Sequence, residues 1–411
     1  MSMLANASSK IAAPAQTAPR VVSIDIFRGL TMAVMIFVNA LSDVRGLPWW
    51  TYHAPARLDE MTYVDMVFPF FLFIVGMSMP LSIRKRLERN PSQPALWIHV
   101  VLRVLGLLVL GLILANAEKC DPARMALSGS VWALLGLICA GLYLNVYGES
   151  KRFPAYSNVL RFIGLLGVVI LLAMFRRATP DGHATWLDFS YPEILGLIGI
   201  SYLAVAILFI PTRRWTWAPV VWLVLLASLC VFSTARILAF PEHLPLYIWP
   251  FGNGAMAVIV MAGVVTSLIF LGTGKRPDPK GAMMLACGFG LVMLVAGRVF
   301  TPLGISKIRA TPTWSLYSIG AAVLSFTLLY WICDVKQRTR WAYLVRPAGS
   351  NTLLTYLLPD LWYFALAAMG ITAFDTHFSV GWPGVVKTVV FTIFMLLLSR
   401  LLTKAKIRLQ L

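Results

Sequence analysis

Three charged side chains and one histidine stand where the surrounding sequence is least hospitable to them. Asp25 and Arg28 sit three residues apart inside the apolar run that begins near residue 21, and Asp65 opens a second such run. In hydrocarbon a charge is costly unless it is paired or faces a wet cavity, so each of these is a candidate functional group. The i,i+3 spacing puts Asp25 and Arg28 on one helical face, where they can clamp each other or turn toward a ligand. Asp65, in the first turn of its helix, suits either of two roles: partner to the helix dipole, or the group that orients a catalytic side chain. His53 lies between these charges, with Trp49, Trp50 and Tyr52 before it and Asp59 and Glu60 after it. An imidazole, with an ordinary pKa of about 6.5, is suited to proton transfer at neutral pH, whereas the aromatic neighbours also fit an interfacial belt. His183, His243 and His377 fall in loops on the same side and read as solvated side chains, and His99 opens the third apolar run.

The elements that must hold these groups are membrane helices. Of the 411 residues, 59% are hydrophobic and 13% charged, where a soluble domain carries roughly 25% charged residues. A span needs roughly 20 mostly apolar residues. Twelve such runs are present, near 21–41, 62–83, 96–117, 128–147, 158–176, 190–210, 217–237, 250–272, 281–300, 313–334, 350–370 and 384–403. The expected fold is therefore all-α and polytopic: a flexible cytoplasmic tail over residues 1–20, then one transmembrane domain over 21–411. The tail lacks the apolar core of a signal peptide, and the loops are too short to hold a soluble domain.

The formal net charge of +18 does not imply a nucleic-acid partner, because the basic residues are not gathered on one face. With the N-terminus inside, 20 of the 35 Lys and Arg fall in cytoplasmic segments and 9 in outer ones or at the outer ends of spans, with Arg84-Lys85-Arg86, Arg213-Arg214 and Lys275-Arg276 inside. That bias places both termini in the cytoplasm. The five cysteines are scattered and no zinc spacing is present, so no metal is expected. Twelve spans with both ends inside also outline a secondary transporter, in which Asp25, Arg28, Asp65 and Asp360 would line a path for an amino sugar.

Seven segments, in order, carry a further resemblance: SIDIFRG (23–29), MIFVNA (35–40), Tyr52-His53-Ala54, DMVFPFFLFIVGMSMPLS (65–82), ILGLIGISYL (194–203), TWSLYS (313–318) and GSNTLLTY (349–356). Together they resemble the transmembrane acetyltransferases typified by heparan-α-glucosaminide N-acetyltransferase and its bacterial amino-sugar-pathway homologues. The resemblance is thinnest over 128–176. It departs from the family after the histidine, where Pro55-Ala56-Arg57-Leu58-Asp59-Glu60 stands in place of Trp-Asn-Gly.

The resemblance implies an acetyl-CoA-dependent N-acetyltransferase of the bacterial plasma (inner) membrane, acting on the amine of glucosamine or a glucosamine-containing glycan, with a homodimer as a further expectation. His53 matches the catalytic histidine and Asn39 the family's asparagine, with Asp65 beside them as the third catalytic candidate. Coenzyme A carries several negative charges, which favours a cytoplasmic mouth formed by Arg28, Asp25, Arg84, Arg340 and Arg346, although basic residues on that side also serve topology. Lys307, Arg309 and Trp314, just before the tenth run, are the candidates for the acceptor side; a lipid-headgroup anchor is the alternative for the two cations. Asn351 and Tyr356 match a family motif and equally suit helix packing.

Overall fold

The computed structural model describes residues 21–147, 154–178, 183–238, 251–272 and 277–411. The expected tail at 1–20, the loop histidine His243 and the basic pair Lys275-Arg276 lie outside the described residues. Each of the twelve apolar runs holds a helix. They are α1 (Val22–Leu41), α2 (Val64–Arg89), α3 (Gln93–Asn116), α4 (Gly129–Leu144), α5 (Pro154–Met174), α6 (Glu193–Thr212), α7 (Ala218–Thr234), α8 (Ala255–Leu271), α9 (Pro279–Val299), α10 (Pro312–Tyr330), α12 (Thr352–Ala368) and α14 (Gly381–Lys404), with short α11 (Val345–Ser350) and α13 (Ala373–Thr376) between the last three. Strand structure among the described residues is limited to the antiparallel pair Arg177–Ala178 and Ala184–Thr185 with two isolated bridges.

Eight of these helices are long and apolar enough to cross a membrane, and α4, α7, α8 and α12 are shorter apolar helices. The architecture is all-α and polytopic. Apolar side chains face outward as well as inward: Phe162, Val169 and Ile170 of α5, and Met284, Val292 and Val295 of α9, are all exposed. Rows of this kind suit lipid, not water. Inside, α8 is buried over most of its length. It crosses α2 where Gly76 faces Gly263, and a Cβ on either glycine would run into backbone of the other helix. Without a hydrophobic force between helices in lipid, such close approach is what gives van der Waals packing its strength.

The two ends of the bundle are tied differently. At one end the carboxylate of Asp334 accepts the backbone N–H groups of Val22 and Ser23, both at 2.9 Å. It thereby caps the open donors of α1 from a residue more than three hundred positions away. At the other end the segment between α1 and α2 folds over the helix ends. Arg45 exchanges backbone hydrogen bonds with Ser379 and Gly381, each at 2.8 Å, and the Tyr52 hydroxyl donates to the Val44 carbonyl at 2.6 Å. This second end carries His53.

The helix expected near 350–370 is α12, and it starts just after Asn351, where the chain breaks from α11 with φ −131° and ψ 57°. The reason lies in the Asn351 side chain. Its amide donates to Ile407 O at 2.8 Å and Thr403 Oγ1 at 3.0 Å and accepts Leu409 N at 3.2 Å, so the residue clamps the C-terminal segment.

Candidate functional site

The site begins with Asp65. The first turn of α2 leaves its N–H groups open, and the preceding loop wraps back onto that turn. One carboxylate oxygen, Oδ2, accepts Thr62 N at 3.0 Å, Ala54 N at 3.2 Å and Thr62 Oγ1 at 3.4 Å. The other, Oδ1, lies 2.7 Å from His53 Nδ1. Asp65 is fully buried, whereas the His53 side chain is 43% exposed. A buried carboxylate on Nδ1 holds the proton there and leaves Nε2 to accept one from the open side, which is the geometry of a carboxylate-oriented general base.

The backbone of Asp65 is fixed as well. Pro69 stands four residues later in α2 and has no N–H, so the Asp65 carbonyl has no helical donor. Trp314 of α10 fills the vacancy, its indole N–H donating to that carbonyl at 3.0 Å. Trp314 is fully buried. The structure therefore places it beneath Asp65 as a support, and not on the open side where an acceptor contact is expected.

Lys307 completes the cluster. Its ammonium nitrogen lies 3.4 Å from both ring nitrogens of His53. Burial pulls the Lys307 pKa below that of an ordinary lysine, and the negative charge of Asp65 works in the other direction. The loop that carries Lys307 is held closed by Ser306 and Thr311, which bond each other's backbone at 3.1 and 3.0 Å. Arg309 of the same loop does not reach His53. Its guanidinium pairs with the carboxylate of Asp59, which also accepts Ile305 N at 3.2 Å. Asp59 is thus the clasp between the two loops, and the Arg309 hydrogen bond holds its carboxyl below the usual range.

Asn39 is placed elsewhere, on the wall of a cavity of about 600 Å³ that neither His53 nor Lys307 lines. The candidates at the opposite end are also divided. Arg28 lies 3.7 Å from Asp25, donates to Gly349 O at 3.2 Å and bonds the Ser78 hydroxyl. It is the clamp reading of the pair that the geometry displays. Arg84 pairs with Glu88 at 3.8 Å on an exposed turn, and Arg340 and Arg346 are exposed at that same end.

Sequence reasoning passed over Thr62 and Asp334 and gave Asp59 no role beyond its place after His53. Thr62 carried a local signal, since a hydroxyl residue three before Asp65 is a helix-start pattern. Asp59 and Asp334 carried none, because their partners lie 250 and 312 positions away.

Residues 20–244 match a family model described as "Domain of unknown function (DUF5009)". Heparan-alpha-glucosaminide N-acetyltransferase of Homo sapiens is 36% identical over 102 residues, which is 25% of this chain and 15% of that protein. The protein of the same name from Mus musculus is 36% identical over 104 residues, with the same shares. The matched segment is thus 15% of the length of these curated relatives.

Proposed function

This chain belongs to the DUF5009 family, and we propose from that premise that it is a twelve-span membrane acyltransferase, moving the acetyl group of acetyl-CoA to the amine of an amino sugar. Both termini lie in the cytoplasm of a bacterial cell, and the His53 end of the bundle faces outward. The observation that carries the reading is the 2.7 Å contact between His53 and the buried carboxylate of Asp65. The 36% identity to enzymes named as glucosaminide N-acetyltransferases supplies the reaction class.

A thioester is activated toward aminolysis, but a sugar ammonium is no nucleophile until it loses a proton. His53 Nε2 takes that proton. The free amine attacks the thioester carbonyl and forms the C–N bond of a tetrahedral intermediate; as this collapses the C–S bond breaks, the imidazolium gives its proton to the departing thiolate, and the second proton of the nitrogen passes to the freed imidazole and then to solvent. Lys307, beside the ring, is positioned to steady the oxyanion of the tetrahedral intermediate. At the cytoplasmic end, the exposed Arg340 and Arg346 would meet the phosphates of the donor, while Arg28 stays in its clamp with Asp25.

One base of this kind contributes about 10²–10⁴ in rate. His53→Ala should therefore remain folded and bind coenzyme A, while thiol release from acetyl-CoA and glucosamine slows by about a hundredfold or more. A permease behaves otherwise: labelled glucosamine accumulates unchanged in proteoliposomes with no thiol release. That outcome would sink the enzyme reading.

A further inference from the structure

The cavity of about 600 Å³ that holds Asn39 is within the range of small-molecule sites. It is built from the His53 end of α1 and the matching ends of α3, α6 and α14, and it reaches down to Tyr356 and Asp360 of α12. Its charge is lopsided. Asp43, Glu118, Glu193 and Asp360 line it, against Lys387 as the single cation.

Asp360 is the informative member. It stands in the middle of an apolar helix, partly buried, and its carboxylate makes no hydrogen bond or ion pair among the described residues. What remains open of it opens onto the cavity. A carboxylate held there without a partner is costly unless it takes up a proton or meets a cation, and a cavity lined by four acidic groups against one lysine favours a cationic ligand. The neighbouring Glu193 differs, because its carboxylate accepts Leu195 N at 3.0 Å and the Tyr356 hydroxyl at 3.3 Å. Asn39 adds an exposed amide, and Tyr363 and Phe391 add aromatic surface. Carboxylate, amide and aromatic rings around one volume suit a hydroxylated organic ammonium. A bare metal ion would fill only a small part of that space.

We propose that this cavity binds the protonated amine of an amino sugar, with Asp360 as its counter-charge and Asn39 as a hydroxyl partner. The inference rests on the acyl-transfer reading for the choice of amine, and it adds a place where the acceptor is captured before its amine passes to His53, which does not line this cavity. The acetylated product is a neutral amide with no charge-assisted bond to make to Asp360, so it is not recaptured there.

The test is calorimetric titration of the purified full-length protein, in sodium-free buffer, with glucosamine, N-acetylglucosamine and glucose. Glucosamine should bind at least about tenfold more tightly than the other two, as expected for loss of one charge-assisted bond in a buried site. Asp360→Asn should remove that preference, Asn39→Ala should weaken all three sugars alike, and His53→Ala should bind as the parent does. Equal affinity for the three sugars, no binding of glucosamine by folded protein, or a preference that survives in Asp360→Asn would overturn the proposal. So would sodium binding that depends on Asp360 when glucosamine does not bind. If Asp360→Asn fails to fold, the Asn39→Ala titration and the three-sugar comparison on the parent protein decide alone. Thiol release from acetyl-CoA, measured in parallel, separates the two readings. Glucosamine bound through Asp360 without thiol release would leave the cavity assignment standing and the acyl-transfer reading refuted. Thiol release with an unchanged KM for glucosamine in Asp360→Asn would do the reverse.

Discussion

His53 gives one ring nitrogen to a buried carboxylate and keeps the other on its exposed side, 3.4 Å from the Lys307 ammonium, and the carboxylate decides which nitrogen carries the proton. Asp65 accepts three bonds on Oδ2 from the loop that carries His53, so the carboxylate is rigid before any substrate arrives. Asp65→Asn keeps the shape but offers Nδ1 a mixed acceptor and donor. The tautomer with the proton on Nε2 then becomes accessible, and that form cannot act as base toward the acceptor. The expected result is a loss of about 10²–10⁴ in kcat with KM for acetyl-CoA unchanged. A loss confined to KM would show that Asp65 shapes binding instead. At this scale the sequence was informative where partners are close along the chain. His53 and Asp65 are 12 residues apart, in segments that pattern alone had marked, and Asp25 and Arg28 are on successive turns. Lys307 was visible as a cation before Trp314, but its approach to His53 spans 254 positions and leaves no mark in either segment.

Between elements, proline and tryptophan act as a matched pair. The missing N–H of Pro69 and the indole donor of Trp314 satisfy a single buried carbonyl, that of Asp65, and thereby lock α2 to α10 beneath the histidine. Trp314→Phe keeps most of the ring volume and removes the donor, which leaves that carbonyl unpaired in the interior. A cost of about 1–3 kcal/mol is expected, read as a lowered Tm in detergent, together with slower turnover as Asp65 loosens. The Asp59–Arg309 clasp belongs to the same scale and behaves differently, because it is exposed. Its carboxyl titrates below the ordinary value of 3.8. Its contribution is therefore complete above that unfolded value and is lost only as pH falls through the lower folded one. From about pH 5 to 9 the clasp should be indifferent to pH but weakened by salt, since exposed pairs are screened. Turnover of the parent protein in high salt should fall toward that of Arg309→Ala, with Tm unchanged between them. The Pro69 signal was present in the sequence, but nothing there names the distant donor that answers it. The start of α12 at Asn351 falls where the apolar run begins, but the contacts that fix it come from a C-terminal segment more than fifty residues on and leave no mark there.

For the whole molecule, apolar run length was sufficient to locate every helix that positions the site, because hydrocarbon admits no other solution for backbone polar groups in an α-helical protein. Which helices touch was not legible, since in lipid the outward face of α5 is as apolar as the inward face of α8 and periodicity loses its meaning. Charge asymmetry in the loops carries the remaining global property, orientation. Lys and Arg resist translocation, and the bias of 20 of them against 9 is the basis for the proposal that the His53 end faces outward. The placement matters to the proposed reaction, in which the donor's phosphates would meet Arg340 and Arg346 in the cytoplasm while the amine would meet His53 on the far side. Single cysteines in a cysteine-free background test it. Gln93→Cys and Arg338→Cys lie on exposed positions of the end that carries Arg84 and Arg340, and Ala123→Cys and Thr376→Cys on exposed positions of the end that carries His53. In intact cells an impermeant thiol reagent should label the second pair and spare the first, with all four labelled once the membrane is opened. The reverse pattern would turn the protein over. It would put His53 in the cytoplasm with the acetyl donor and remove the need for any route through the bundle.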